Sequence, residues 1–196
     1  MRNLLLVRVH TDDGFIGCGE TYYTPQAIEQ VGREGAIAIE DGSGLVSVLD
    51  VVEGLQFDRG FLSPYFINRA DRQAVVLEDA WVLLCEDKLT TLNELLPLLE
   101  EVVKTGRPLV IIAEDLDTEV LAALVINTLR GALKLCAVKA PGFGDMRKQQ
   151  LADMAVLTGG TVVSNLIGKS VNKVTLNELG RVKRIEVTKE NTTLIG

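Results

Sequence analysis

Trp81-Val82-Leu83-Leu84-Cys85, Thr91-Leu92-Asn93-Glu94-Leu95-Leu96-Pro97-Leu98-Leu99 and Leu109-Val110-Ile111-Ile112-Ala113 follow one another along the chain, and together they decide the fold. The first and third are continuous apolar runs of strand length, as expected of strands buried on both faces. Between them, Thr91 followed by Glu94 is a capping-box pattern that starts a helix. Leu92, Leu95, Leu96, Leu98, Leu99, Val102 and Val103 then fall within about half of the helical circle at about 100° per residue, and Gly106 with Pro108 ends the element. Pro97 falls on the polar side.

Reading outward, Glu114-Asp115-Leu116-Asp117 places carboxylates where a helix N-terminus favours negative charge, and a second helix runs to about Arg130 before Gly131. Leu133 to Val138 reads as a third strand, Asp145 to Ala155 as a third helix, and Thr161-Val162-Val163 as a strand after Gly159-Gly160. Strands alternating with helices predict an α/β fold with a largely parallel sheet flanked by helices. At the N-terminus, apolar runs flank Thr11-Asp12-Asp13-Gly14, so Met1 to about Tyr23 reads as a β-hairpin extension. Residues 35 to 40 read as a short strand that ends in the turn at Asp41-Gly42-Ser43-Gly44.

Composition narrows the function. The chain has 196 residues, of which 47% are hydrophobic, so it can build a core and is not intrinsically disordered. No apolar run approaches the roughly 20 residues that cross a bilayer, and the N-terminus reads as a strand in place of a signal peptide. With 20 Lys+Arg against 27 Asp+Glu, a net charge of −7 and no basic run, nucleic acid is not an expected partner. Three widely spaced cysteines, Cys18, Cys85 and Cys136, fit neither a disulfide framework nor a zinc site, which points to a reducing cytosol.

Few residues suggest chemistry. Glu114, Asp115, Asp117 and Glu119 follow a strand expected to be parallel, where hard oxygen ligands can hold Mg²⁺; the same residues suit a helix N-terminus without any metal. Asp41-Gly42-Ser43-Gly44 and Pro141-Gly142-Phe143-Gly144-Asp145 lack the remaining residues of dinucleotide and phosphate loops and read as turns. His10 is the single histidine and lies in a strand near the terminus, a poor base for a triad. Asn191-Thr192-Thr193 matches a glycosylation sequon without any other secretory signal. What stands out is two consecutive helices with more leucine and valine than one sheet-packed face uses. Two antiparallel helices of that kind leave an apolar groove where a peptide can lie, or else they simply build a thick core.

Several strings carry a family resemblance. Asp50-Val51-Val52-Glu53-Gly54-Leu55-Gln56-Phe57-Asp58-Arg59-Gly60, Leu62-Ser63-Pro64-Tyr65-Phe66-Ile67-Asn68, Lys139-Ala140-Pro141-Gly142-Phe143-Gly144-Asp145 and Leu157-Thr158-Gly159-Gly160-Thr161 resemble the apical domain of group I chaperonins, the GroEL type. The resemblance covers about residues 31 to 196. It implies a partial intermediate-domain segment at 31–53 and a truncated apical, polypeptide-binding domain at 54–196. It further implies a chaperone fragment that supports protein folding by holding unfolded polypeptides, and potentially a co-chaperonin's mobile loop, in an apolar groove between two helices. Carried over by position, the groove residues are Leu96, Leu99 and Val103 on the first helix and Leu121, Val125, Ile126 and Asn127 on the second, with Phe61, Tyr65 and Phe66 as an aromatic segment below. Phe61 stands where a tyrosine is usual.

The phosphate loop and hydrolytic aspartate of the chaperonin equatorial domain do not occur in this sequence, so neither ATPase activity nor ring assembly is expected. ATP and Mg²⁺ would belong to that domain, and no cofactor is expected here. Residues 1–30 form an extension whose Leu5-Leu6-Val7-Arg8-Val9-His10-Thr11-Asp12-Asp13-Gly14-Phe15-Ile16-Gly17-Cys18-Gly19-Glu20 resembles the N-terminal hairpin of enolase-superfamily dehydratases and racemases. The chain therefore reads as a fusion. Its alternatives are an enzyme fragment, Mg²⁺-dependent or derived from the enolase superfamily, and a non-functional fusion or truncation product. The hairpin's edge also offers a route to self-association with a second copy.

Overall fold

A computed structural model describes the backbone of residues 5–10 and 16–21, and residues 54–165, 168 and 170–195. The chain divides into two compact units, Met1–Glu53 and Gly54–Gly196. In the first, β1 (Leu5–His10) and β2 (Ile16–Thr21) pair antiparallel, with Leu5 opposite Thr21 and His10 opposite Ile16. That is the expected hairpin. The turn between its strands, the strand and turn expected at 35–44 and the intermediate-type segment at 31–53 lie outside the described residues.

The second unit holds one mixed sheet. Its strands are β3 (Leu55–Phe57), β4 (Val75–Cys85), β5 (Leu109–Ala113), β6 (Leu135–Lys139), β7 (Val162–Val163), β8 (Gly180–Val187) and β9 (Thr192–Ile195), in spatial order β3-β9-β8-β4-β5-β6, with β7 also on β4. Helices α1 (Leu92–Thr105), α2 (Thr118–Leu129) and α3 (Gly144–Thr158) connect β4 to β5, β5 to β6 and β6 to β7. The α/β class and the flanking helices are as expected from the sequence. The sheet is mixed where a largely parallel one was expected: β4, β5, β6 and β7 pair in parallel, whereas β8 joins β4, β9 joins β8 and β3 joins β9 antiparallel.

The antiparallel half comes from residues whose alternation is mixed with charge. In β8, Val182, Ile185 and Val187 are buried while Arg181 and Lys183 face solvent. β4 starts at Val75, six residues before the Trp81 expected from sequence, because its first half has only one covered face. Val75, Leu77 and Ala80 point inward there, and Asp79, with φ 51°, shifts the phase of the alternation. Opposite it, β8 shifts phase too, so the two strands stay in register from Val75↔Val187 to Val82↔Gly180.

The core lies on both faces of β4, β5 and β6. All five residues of β5 are fully buried, as are Leu83, Leu84 and Cys85 of β4. Leu95, Leu98 and Val102 of α1 and Val120 and Leu124 of α2 cover one face. Burying each such side chain contributes about 1.5–3 kcal/mol. Both helices connect adjacent parallel strands, so they run in the same sense, which corrects the antiparallel pair expected from sequence. They also touch each other. The chain then turns back from β6 to β7, and a right-handed crossover in that direction puts α3 on the opposite face, where Leu151 and Met154 meet the core.

Local signals differ in detail. α1 starts at Thr91 and ends at Gly106, whose φ of 70° is the left-handed conformation that glycine adopts at little cost. The Thr91 hydroxyl does not accept from the backbone of Glu94; it donates to the Glu94 carboxylate at 2.7 Å, so a side-chain bond replaces the reciprocal box and neither of its halves is made. α1 runs through the exposed Pro97. α3 continues to Thr158, three residues beyond the expected end, because the Thr158 hydroxyl returns to the Met154 carbonyl at 2.8 Å and Gly159 caps the helix. Between α3 and β7 the chain approaches β8 so closely that a Cβ on Gly160 would lie 2.5 Å from the Gly180 amide nitrogen.

Candidate polypeptide-binding site

The side chains of α1 divide by depth. Leu95, Leu98 and Val102 are spent on the core, and Leu99, 8% exposed, goes with them. Leu96 and Val103 remain 41% and 46% exposed on the rim of the same apolar stripe, with the half-buried Leu92 one turn before Leu96. α2 behaves differently because its apolar residues surround the helix. Once Val120 and Leu124 face the sheet, Leu121 and Val125 are half-buried and Ile126 and Leu129 are left exposed.

Below the helices, residues 61–66 are held by backbone bonds. The Phe61 amide donates to the Thr188 carbonyl at 3.1 Å and the Leu62 amide to the Ala137 carbonyl at 2.9 Å. A 3-10 turn at Pro64–Phe66, entered through Ser63, packs on α2. Within it Phe66 is buried and Tyr65 is 65% exposed, while Phe61 is half-buried. Of the ten residues expected to form the groove, then, Leu96, Val103, Ile126 and Tyr65 are open to solvent. Leu121, Val125, Asn127 and Phe61 are partly open, and Leu99 and Phe66 support them from the core. Asn127 donates its side-chain amide to the Ala123 carbonyl at 2.8 Å, one turn back on its own helix. Leu129, four residues after Val125, extends the exposed apolar face; the same helical spacing that marked Val125 would have found it.

The carboxylates at the other candidate site are engaged by cations. Arg147 meets Glu114 at 2.5 Å, Lys139 meets Asp115 at 3.0 Å, and Lys88 pairs with Asp117. Asp117 occupies the N-cap of α2 yet makes no side-chain cap, since Lys88 holds its carboxylate. Burial pushes the Asp115 carboxyl up, but the hydrogen bonds from Lys139 and from the Leu116 amide, with the charges of Lys139 and Lys88, outweigh it and hold Asp115 below the ordinary range. The hydrogen bond and charge of Asp117 raise Lys88, against a smaller effect of burial. Among the described residues no three potential ligands gather to hold a metal ion.

Cys85 and Cys136 are buried free thiols, and burial pushes Cys85 up to about 12. No helix among the described residues is long and apolar enough to cross a membrane.

No family model matches the chain. Over 170 residues it is 72% identical to "Chaperonin GroEL 1" of Polaromonas naphthalenivorans (strain CJ2) and 71% identical to "Chaperonin GroEL 2" of Albidiferax ferrireducens (strain ATCC BAA-621 / DSM 15236 / T118). Each match takes in 87% of this chain but only 31% of the relative's length. Over those 170 residues, the sequence of the chain is similar to that of a fragment of GroEL-type chaperonins.

Proposed function

We propose that this chain is a chaperone module that binds non-native polypeptide in the apolar channel between α1 and α2. The observation that carries the reading is the exposure of Leu96 and Val103 on α1 beside Ile126 and Leu129 on α2, above a core that is already filled. An extended segment with apolar side chains gains about 25 cal/mol per Å² of apolar area buried there. Its exposed lining residues are aliphatic, and burial of apolar area makes no sharp demand on sequence. A co-chaperonin's apolar loop fits the same description. A single channel binds without avidity, so its own affinity for a peptide is weak.

The test is fluorescence anisotropy of a labelled apolar peptide with the parent and with Leu96→Glu/Ile126→Glu. Both positions are exposed, so the fold survives the change. Saturable binding that falls at least tenfold in the variant supports the channel. Equal binding by both proteins contradicts it.

A further inference from the structure

A second candidate site lies away from the helical channel, where the turn before β4 meets β8. A cavity of about 220 Å³ is lined by Arg69, Asp71, Arg72, Val76, Glu78 and Arg184. Its walls are fixed by backbone: the Arg69 amide donates to the Ala74 carbonyl at 3.0 Å and the Ala74 amide returns to the Arg69 carbonyl at 3.1 Å. Asn68 clamps the other side, accepting from the Val76 amide at 2.9 Å and donating to its carbonyl at 2.8 Å. Arg184 faces this turn because β8 pairs it with Glu78 of β4.

The guanidinium donors in this cavity are incompletely matched. Arg72 reaches Asp71 only at 3.9 Å, and Arg184 spends one terminal nitrogen on Glu186 at 3.1 Å. Among the described residues no carboxylate meets the Arg69 guanidinium, and the Arg184 Nε is buried without a hydrogen-bond partner. A buried donor with nothing to accept from it is unfavourable, and an arginine fork is built to grip an oxyanion through two parallel N–H bonds. Counting Glu186, the three guanidinium groups are balanced by three carboxylates, so what the cavity offers an anion is unmatched donors and not a net positive charge.

We propose that this cavity binds a multivalent oxyanion, a free phosphate or polyphosphate group, held by Arg69 and Arg72 from the turn and by Arg184 from β8. A small rotation of Arg184 would supply its Nε to the anion. The site is independent of the polypeptide channel, so either can fail alone.

The experiment is titration calorimetry of the full chain with inorganic phosphate and with pyrophosphate at constant ionic strength, with acetate and chloride as controls. The variant is Arg69→Ser/Arg72→Ser, in an exposed turn whose backbone bonds do not involve these side chains. The expected result is saturable one-to-one binding of both phosphate species, at least tenfold weaker in the variant, and no comparable binding of acetate or chloride. Absence of saturable binding, equal affinity in parent and variant, or equal binding of acetate overturns the proposal.

Discussion

Two regions of this chain draw the eye in sequence, the leucine- and valine-rich face of α1 and α2 and the carboxylates after β5, and the folded chain treats them in opposite ways. The carboxylates are matched: Glu114, Asp115 and Asp117 each have a cation, supplied by α3, the end of β6 and the loop after β4. The apolar face is not, since Leu96, Val103, Ile126 and Leu129 stay exposed after the core is complete. Charge recruits partners within the fold through long flexible side chains, and surface ion pairs of this kind contribute little net stability. Apolar surface has no such reach. What is left over stays at the surface.

The comparison can be broken most severely at Leu99, which belongs to the channel by position but to the core by depth. Leu99→Ala should lower stability by about 2–5 kcal/mol, read from denaturant unfolding, whereas Leu96→Ala three residues earlier should change it by well under half of that. Equal costs would mean that the two leucines are not divided by depth. Next in size is the loss of peptide affinity in Leu96→Glu/Ile126→Glu, at least tenfold, set beside Asp115→Asn, which should leave peptide binding unchanged.

The charged edge should yield smaller effects. Asp115→Asn should cost no more than about 1 kcal/mol, because the pair is partly exposed and screened. The folded carboxyl is held below its ordinary value, so its contribution is present above about pH 4 and lost as the pH falls further. Lys88 works in the other direction: its raised value means that its contribution is present at neutral pH and lost only as the pH rises above the ordinary lysine range. Thermal melts at pH 7 and pH 3 should therefore differ less for Asp115→Asn than for the parent. Smallest of all is the expected effect of Mg²⁺, a melting midpoint unchanged at millimolar concentration. A rise that saturates would restore the metal reading of Glu114, Asp115 and Asp117. Cys85 and Cys136 should remain unlabelled by thiol reagents in the native protein and become reactive on unfolding, as their burial requires.

Legibility in the sequence followed how many faces of an element are buried. β5 is covered on both faces and reads as an unbroken apolar run, and α1 has one clean stripe; both were plain. β8 carries Arg181, Lys183, Arg184 and Glu186 among its apolar residues, and its strand character lies only in the alternation. The first half of β4 hid for the same reason, with Glu78 and Asp79 both outward. For the candidate site, helical spacing located α1 and α2 but could not tell Leu96 from Leu99, because the depth of each residue depends on where the helix sits on the sheet. The pairing of Asp117 with Lys88 was also hidden, since it joins the ends of two different crossovers.

The most direct test of the central claim is hydrogen exchange of the full chain with and without a saturating apolar peptide. Slower exchange confined to residues 92–105 and 118–129 is the predicted result. Protection that falls instead on residues 144–158, where Met146 and Val156 are also exposed, or on residues 114–117 would contradict the assignment of the α1–α2 channel.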